Sequence, residues 1–306
     1  MAEMGRKALV KSNLEYWLNN KLLTNGLYVT IPSGDVDIYG NDLSRLVSFY
    51  DGALPSGTVY QSAFKNWVYE SGIIPTESGL APPVVCSGVY VNGIFRAKDT
   101  TSPLYSAAYA HSIDYPNGRV IFDNVINATV QAEFSYKTVA VSHASEKNNE
   151  NRALLIETAR KDNPQASGAD IYPSATSRTL PAVFIDIIDR RSSGYELGSS
   201  SLVSEFFGVF HIWSRDDFVQ DLIEDILTDA QHSVILGINF NDAPYPLNYI
   251  GDTNGPFESY DTYANVHHRY FWRRMYLDEV RGRKDAPLFE VERGRAEFRV
   301  KVYPNF

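Results

Sequence analysis

Residues 202–230 read LVSEFFGVFHIWSRDDFVQDLIEDILTDA, and two hydrophobic periods meet within them. Leu202 to Trp213 reads as an aromatic strand. Ser214-Arg-Asp-Asp217 follows, with Ser214 placed to cap a helix and an acid three residues on, a weaker relative of the capping box. The helix after it carries Phe218, Leu222, Ile226 and Ala230 along one stripe, flanked by Val219, Ile223 and Leu227. Its acids at 216, 217 and 221 lie in the first turns, where the helix dipole favours them.

Working outward, Pro181 to Ile188 is a strand with apolar residues on both faces apart from Asp186, and Arg190 to Gly194 reads as a turn. Ser233 to Asn239, His268 to Leu277 and Ala296 to Val302 supply further strands. This half is therefore expected to be a mixed, largely antiparallel sheet packed by one long helix.

The first half follows a different grammar. Val10, Leu14, Trp17, Leu18 and Leu22 mark a helical stripe that stops at Asn25-Gly26. A strand over Leu27–Ile31 ends at Pro32-Ser33-Gly34, and residues 51–83 read as irregular loops. Asn92-Gly93 between apolar residues is a hairpin signal, and Tyr115-Pro-Asn-Gly-Arg119 is a second turn. Val130, Ala132, Phe134 and Tyr136 then alternate to one side. The fold class is α+β. A leading helix and a β-rich, sandwich-like domain occupy 1–150, a polar linker spans about 151–177, and the helix-packed sheet occupies 178–306. Leu154-Leu-Ile156 is a short apolar segment inside that linker.

Composition removes several classes of function. At 44% hydrophobic and 21% charged, the chain of 306 residues has a globular composition. Its single cysteine, Cys86, excludes an intrachain disulfide and zinc sites that need two cysteines. No apolar run approaches the ~18 residues of a membrane helix, and Met1-Ala-Glu-Met-Gly-Arg-Lys7 leads into no apolar signal core, so a reducing cytoplasm is the expected place of synthesis. The net charge of −9 argues against a free-standing nucleic-acid binder. That charge is uneven: residues 267–306 hold ten Lys/Arg and six Asp/Glu, a net of +4, which leaves −13 on residues 1–266.

Catalytic signatures are sparse. There is no phosphate-binding Gly-x-x-x-x-Gly-Lys loop, and Gly198-Ser-Ser-Ser201 lacks the second glycine of a nucleophile elbow. His267 and His268, as strand neighbours, would point to opposite faces and share no metal. Asp186, Asp189 and Glu196, and the pair Asp35 and Asp37, are acids of the kind that general acid–base or cation chemistry uses, but solvated strand edges use them more often. No catalytic residue, cofactor or metal is expected. The basic, aromatic C-terminal stretch fits a subunit contact better than a nucleic-acid surface, because its charges alternate in sign. A polarised subunit suits head-to-tail packing. The expected contact residues are Tyr195, Trp213, Tyr245, Tyr249, Arg273, Arg274, Arg281 and Arg283, with the loop Pro244–Pro256 ordering on assembly.

A resemblance sharpens this. Leu180-Pro-Ala-Val-Phe-Ile-Asp-Ile-Ile188, Tyr195-Glu-Leu-Gly-Ser199 and Phe207 to Leu227 together resemble the strand–strand–helix unit of tailed-bacteriophage tail-terminator and neck proteins. Ser87 to Phe95 and Ile113 to Asp123 are similar to segments of phage virion structural proteins. The first likeness covers about 180–302 and the looser one about 84–141. It implies a tail-terminator-like structural protein, not an enzyme, whose copies form a ring, usually sixfold, at the virion neck. The implied partners are other copies of itself, the tail tube protein, the head-side connector or other neck proteins, and sheath or collar proteins. DNA would pass through the ring without sequence-specific contact, and no membrane is involved. Assembly would take place in the bacterial host cytoplasm. Terminators are often single small domains, so the additional N-terminal half departs from the pattern. Another neck, baseplate or tail component is the alternative within the class, and a carbohydrate- or surface-binding module is the alternative outside it.

Overall fold

The computed structural model describes residues 6–50, 54–143, 180–194, 202–238, 240, 246–254, 260–267, 274–288 and 291–303. The linker with Leu154–Ile156, and Tyr195, Glu196, Gly198–Ser201, Tyr245 and His268–Arg273, lie outside them. The protein is α+β. Its elements in order are α1 (Arg6–Thr24), β1 (Tyr28–Ile31), β2 (Arg45–Phe49), β3 (Val59–Gln61), β4 (Gly88–Val91), β5 (Ile94–Ala97), β6 (His111–Asp114), β7 (Arg119–Phe122), β8 (Val130–Ala132), β9 (Phe134–Lys137) and β10 (Ala140–His143). Then come β11 (Ala182–Gly194), β12 (Leu202–Ser214), α2 (Asp217–Asp229), β13 (Val234–Leu236), α3 (Tyr260–His267), β14 (Arg274–Leu288) and β15 (Val291–Val302).

The first half curls a seven-stranded antiparallel sheet, in the order β5-β4-β8-β2-β3-β7-β6, beside the β1–β9 pair. Asn92 and Gly93 both take positive φ (50° and 78°), which a two-residue hairpin between right-twisted strands demands. The strand from Val130 to Tyr136 is interrupted at Glu133, and its two pieces, β8 and β9, enter different sheets, while Val130, Ala132, Phe134 and Tyr136 still turn to one core as their alternation implies. Trp67 stacks on Phe134 with 4.1 Å between ring centroids and anchors a core with Ile31, Leu46, Ile113 and Val120.

The second half is a six-stranded sheet in the order β10-β11-β12-β15-β14-β13, antiparallel except where β10 runs parallel to β11. Arg190 to Gly194, expected as a turn, continues β11, because these residues pair in register with β12 from Phe206 back to Leu202. Val183, Ile185, Phe206, Phe210, Phe298 and Val300 share one face and pack with Ile223 and Leu227 of α2. The α2 cap is Asp216, whose carboxylate accepts the Phe218 N–H at 2.8 Å, while Ser214 Oγ accepts the Asp216 N–H one step earlier. The helix is also rotated from the expected stripe: Ile226 and Ala230 of that stripe and the flanking Ile223 and Leu227 are buried, but Phe218 is exposed and Gln220 takes a buried place. The cause is local. Gln220 and Glu224 lie over Gly294 and Gly282, where the absence of a Cβ lets the helix approach the sheet.

Helix α1 does not belong to the core of the first half. Leu9, Val10, Leu14, Trp17, Leu18 and Leu22 join the core of the second sheet, and Tyr16 meets Tyr260 of α3 edge-on at 5.2 Å. Leu23 packs elsewhere, against Val68 and Ile73 of the first half. The fully buried Asn13 joins α1 to the far end of the chain: its amide donates to the Leu9 and Ile238 carbonyls at 2.8 and 2.9 Å, and its oxygen accepts the Ile238 N–H at 2.7 Å. Asn13→Leu would leave the Ile238 N–H and C=O buried without partners. We expect it to lower stability by roughly 2–4 kcal/mol, read as a shift in the urea midpoint at constant slope.

Candidate subunit-contact surfaces

Strand alternation puts a second, charged face on the sheet opposite its helices. Cross-strand register aligns Phe207, Arg299 and Glu279 in one row, Val209, Glu297 and Arg281 in the next, and His211, Arg295 and Arg283 in a third. Arg281 and Glu279 pair at 2.5 Å, Lys301 and Asp278 at 3.0 Å, and Arg299 and Arg295 pair with Asp278 and Asp285. Burial raises the Asp278 carboxyl, but the hydrogen bond from Lys301 and the charge of Arg299 outweigh it, leaving the group below its ordinary value. The Arg281–Glu279 pair is open to water and adds little stability, while Asp278 and Asp285 are mostly covered. The effect of these pairs is to make a patterned polar face.

That face holds an open cleft of about 330 Å³. Phe207, Val209 and Ile188 form its apolar floor, with Arg281, Arg299, Glu279 and Glu297 around it. Ile188 is 65% exposed because the β11 register shifts between Ile187 and Asp189, which turns it outward.

The expected contact residues separate into three groups. Arg281 and Arg283 stand two apart on β14, exposed on the cleft side, and Arg274 is exposed at the strand's other end. Tyr249 is 97% exposed on a separate loop. Trp213 is a correction. At 1% exposure it lies in a small core, below the Arg293 guanidinium, because apolar side chains from β10, β11 and β15 (Ala140, Ala182, Phe184 and Val291) pack with it. It is not available to a partner. Tyr195, Tyr245 and Arg273 lie outside the described residues.

Of the acids considered for chemistry, Glu196 lies outside the described residues, and three of the others are each engaged separately. Asp186 pairs with Lys11 at 3.1 Å, Asp189 pairs with Arg191 at 3.2 Å, and Asp37 hydrogen-bonds its own loop. Among the described residues no group of three His, Cys, Asp or Glu could hold a metal ion. Burial pushes the Cys86 thiol up to about 12, so it is protonated and unreactive at neutral pH.

Residues 246–254, within the loop expected to order on assembly, are already docked on the first sheet. Gly251 C=O accepts the Tyr115 N–H at 3.2 Å, and the Asp252 carboxylate accepts the Ile113 N–H at 3.3 Å and pairs with Lys98. Asn248 Oδ1 ties the turn by accepting from Ile250 and Asp252, and Leu247 enters the first core. The loop is a clasp between the halves, with only its tip at Tyr249 fully in water.

A second exposed feature was missed by pattern reading. In the loop Asp35–Leu43, the Asp37 carboxylate accepts from the Tyr39 N–H, the Asn41 N–H and the Asn41 side chain at 2.8–2.9 Å. Val36 and Asp42 bridge its base, and Ile38 and Tyr39 project 91% and 82% exposed. The signal was the spacing of Asp37 two and four residues before Tyr39 and Asn41, which lets one carboxylate cap a tight turn.

No protein-family model matches this chain, and no curated protein matches it.

The clasp yields two measurements. Asp252→Ala strips Lys98 and the Ile113 N–H of their acceptor, and we expect a loss of about 1–3 kcal/mol, with Asp252→Asn losing less, by urea denaturation. Nearby, His111 is buried. Its Nδ1 lies 2.8 Å from the Tyr109 carbonyl, and Nε2 has no partner among the described residues. Burial therefore depresses its pKa. As pH falls through the ordinary value of about 6.5, the unfolded chain takes up a proton that the folded chain resists, so stability drops. The fall in stability between about pH 7 and pH 5 should be shallower in His111→Leu than in the parent. Equal slopes would show that other groups carry the dependence.

Proposed function

We propose that this chain is a structural virion protein of a tailed phage, a tail-terminator or other neck component whose copies form a ring, usually of six, joining the tail tube to the head connector. The observation that carries the reading is the unit from Leu180 to Leu227, whose sequence resembles the strand–strand–helix of terminators and whose residues form two paired 13-residue strands followed directly by α2. The patterned charge of the sheet face opposite α1 and α2 supports a contact role. Its partners would be further copies of itself, the tail tube protein and connector or collar proteins.

A carbohydrate- or surface-binding module is the second reading. Tyr39, Tyr50 and Tyr249 support it, since exposed aromatic side chains are what such a module would stack on a sugar ring.

Light scattering on the purified protein, alone and mixed with tail-tube subunits, separates the two readings. A closed oligomer, or a monomer that oligomerises only on tube ends and appears there as a ring by electron microscopy, is the expected result. A protein that stays monomeric with tubes and binds a glycan would overturn the ring.

A further inference from the structure

Two features described above lie on opposite ends of the charge distribution and complement each other. The first is the loop Asp35–Leu43. Its Asp37 hydrogen bonds and the Val36–Asp42 bridge hold the tip in one shape before any contact, so seating it costs little ordering entropy. Ile38 and Tyr39 are an aliphatic and an aromatic anchor held side by side in water, the kind of residue pair that carries binding energy when it enters a pocket. Asp35, Asp37 and Asp42 surround them, and no Lys or Arg occurs between Lys21 and Arg45. The tip is apolar and uniformly acidic, a combination that an anionic lipid surface repels.

The second feature is the cleft on the face of the second sheet opposite α1 and α2. Its floor is apolar, and its volume lies in the range of about 300–1,000 Å³ that accepts small ligands or anchor side chains. The outward face of β14 and β15 carries six basic side chains (Arg281, Arg283, Arg293, Arg295, Arg299, Lys301) against four acids (Asp278, Glu279, Asp285, Glu297). Asp278 and Asp285 are largely covered by their own ion pairs, while Arg281 is 76% exposed at the rim.

We infer that Ile38 and Tyr39 of one copy seat in the Ile188–Phe207–Val209 cleft of a second copy, with the tip acids facing Arg281 and its basic neighbours. The inference rests on the ring reading and names the surfaces that build it. Tip and cleft are different patches, so the contact is heterologous. Repeated from copy to copy it generates a ring where the rotation closes.

Two double variants test this: Ile38→Ser/Tyr39→Ser at the tip and Ile188→Asp/Arg281→Glu at the cleft. All four side chains are exposed, and circular dichroism checks that each variant folds. Light scattering over a concentration series then measures self-association. We expect the parent protein to associate and each variant to lose at least about tenfold in association, as the loss of anchor residues does. An equimolar mixture should form dimers and nothing larger, because it holds one intact tip and one intact cleft per pair. A parent that associates while both variants associate equally would overturn the inference and leave the ring reading standing. Variants that fail alone and also fail to dimerise when mixed would show that these two surfaces do not meet each other. A parent that is monomeric alone and with tail tubes would remove both the ring and this contact.

Discussion

Helix α1 is buried on nearly every side, and the rest of the structure depends on that burial. Its Leu and Val stripe lies on the second sheet, Tyr16 meets α3, and Leu23 faces loops of the first half. A helix so enclosed must satisfy each polar side chain it carries inward. Asn13 does so with both backbone groups of Ile238, and Asn20 does so by accepting the Tyr260 N–H at 3.0 Å. Each bond spans more than 220 residues of chain, so the segments between β13 and β14 are held in place by the first helix of the protein.

This explains why a division at about residue 150 describes the chain order better than the packing. The first sheet has its own core around Trp67 and Phe134, as a separate unit should. Yet α1 and β10, both from the first 150 residues, complete the second sheet and its core, and the clasp at residues 246–254 returns from the second half to the first. Three crossings link the halves, each with buried contacts or hydrogen bonds. Relative motion of the halves would break all of them together.

What could be read from the sequence was what is local. The α1 stripe, the Asn92-Gly93 hairpin, the Tyr115–Arg119 turn and the strand–helix junction near residue 214 each follow from residues within a few positions of one another. The rotation of α2 was not legible, because it depends on Gly282 and Gly294, which approach the helix only after β14 and β15 have paired. Asn13 likewise looks like a solvated residue until Ile238 is beside it. Among the residues expected at a subunit contact, Arg281 and Arg283 are exposed, but an aromatic at a strand end says nothing about what covers it, and Trp213 is covered. The tip at Ile38 and Tyr39 falls between short strands, where no hydrophobic period exists to draw attention to it.

The sheet's two borders bear on how copies of such a protein could meet. Among the described residues, β11 beyond Ile185 has a strand only on its β12 side and β14 beyond Leu277 only on its β15 side, so each offers on its outer side a row of backbone groups that another chain could pair with. Both borders carry devices that discourage this. Each has a register shift at the same level, between Ile187 and Asp189 and between Leu277 and Glu279, and each is lined with charge, Asp189, Arg190 and Arg191 on one and Arg281, Arg283 and Lys284 on the other. Lys284 is held further by Asp217 and Asp221 at the start of α2, at 2.8 and 2.7 Å. Open-ended sheet growth is thereby disfavoured without sealing the protein against all contact. Faces and loop tips are left as the surfaces able to meet a neighbour in one defined geometry, and a closed assembly, unlike a fibre, needs that restriction.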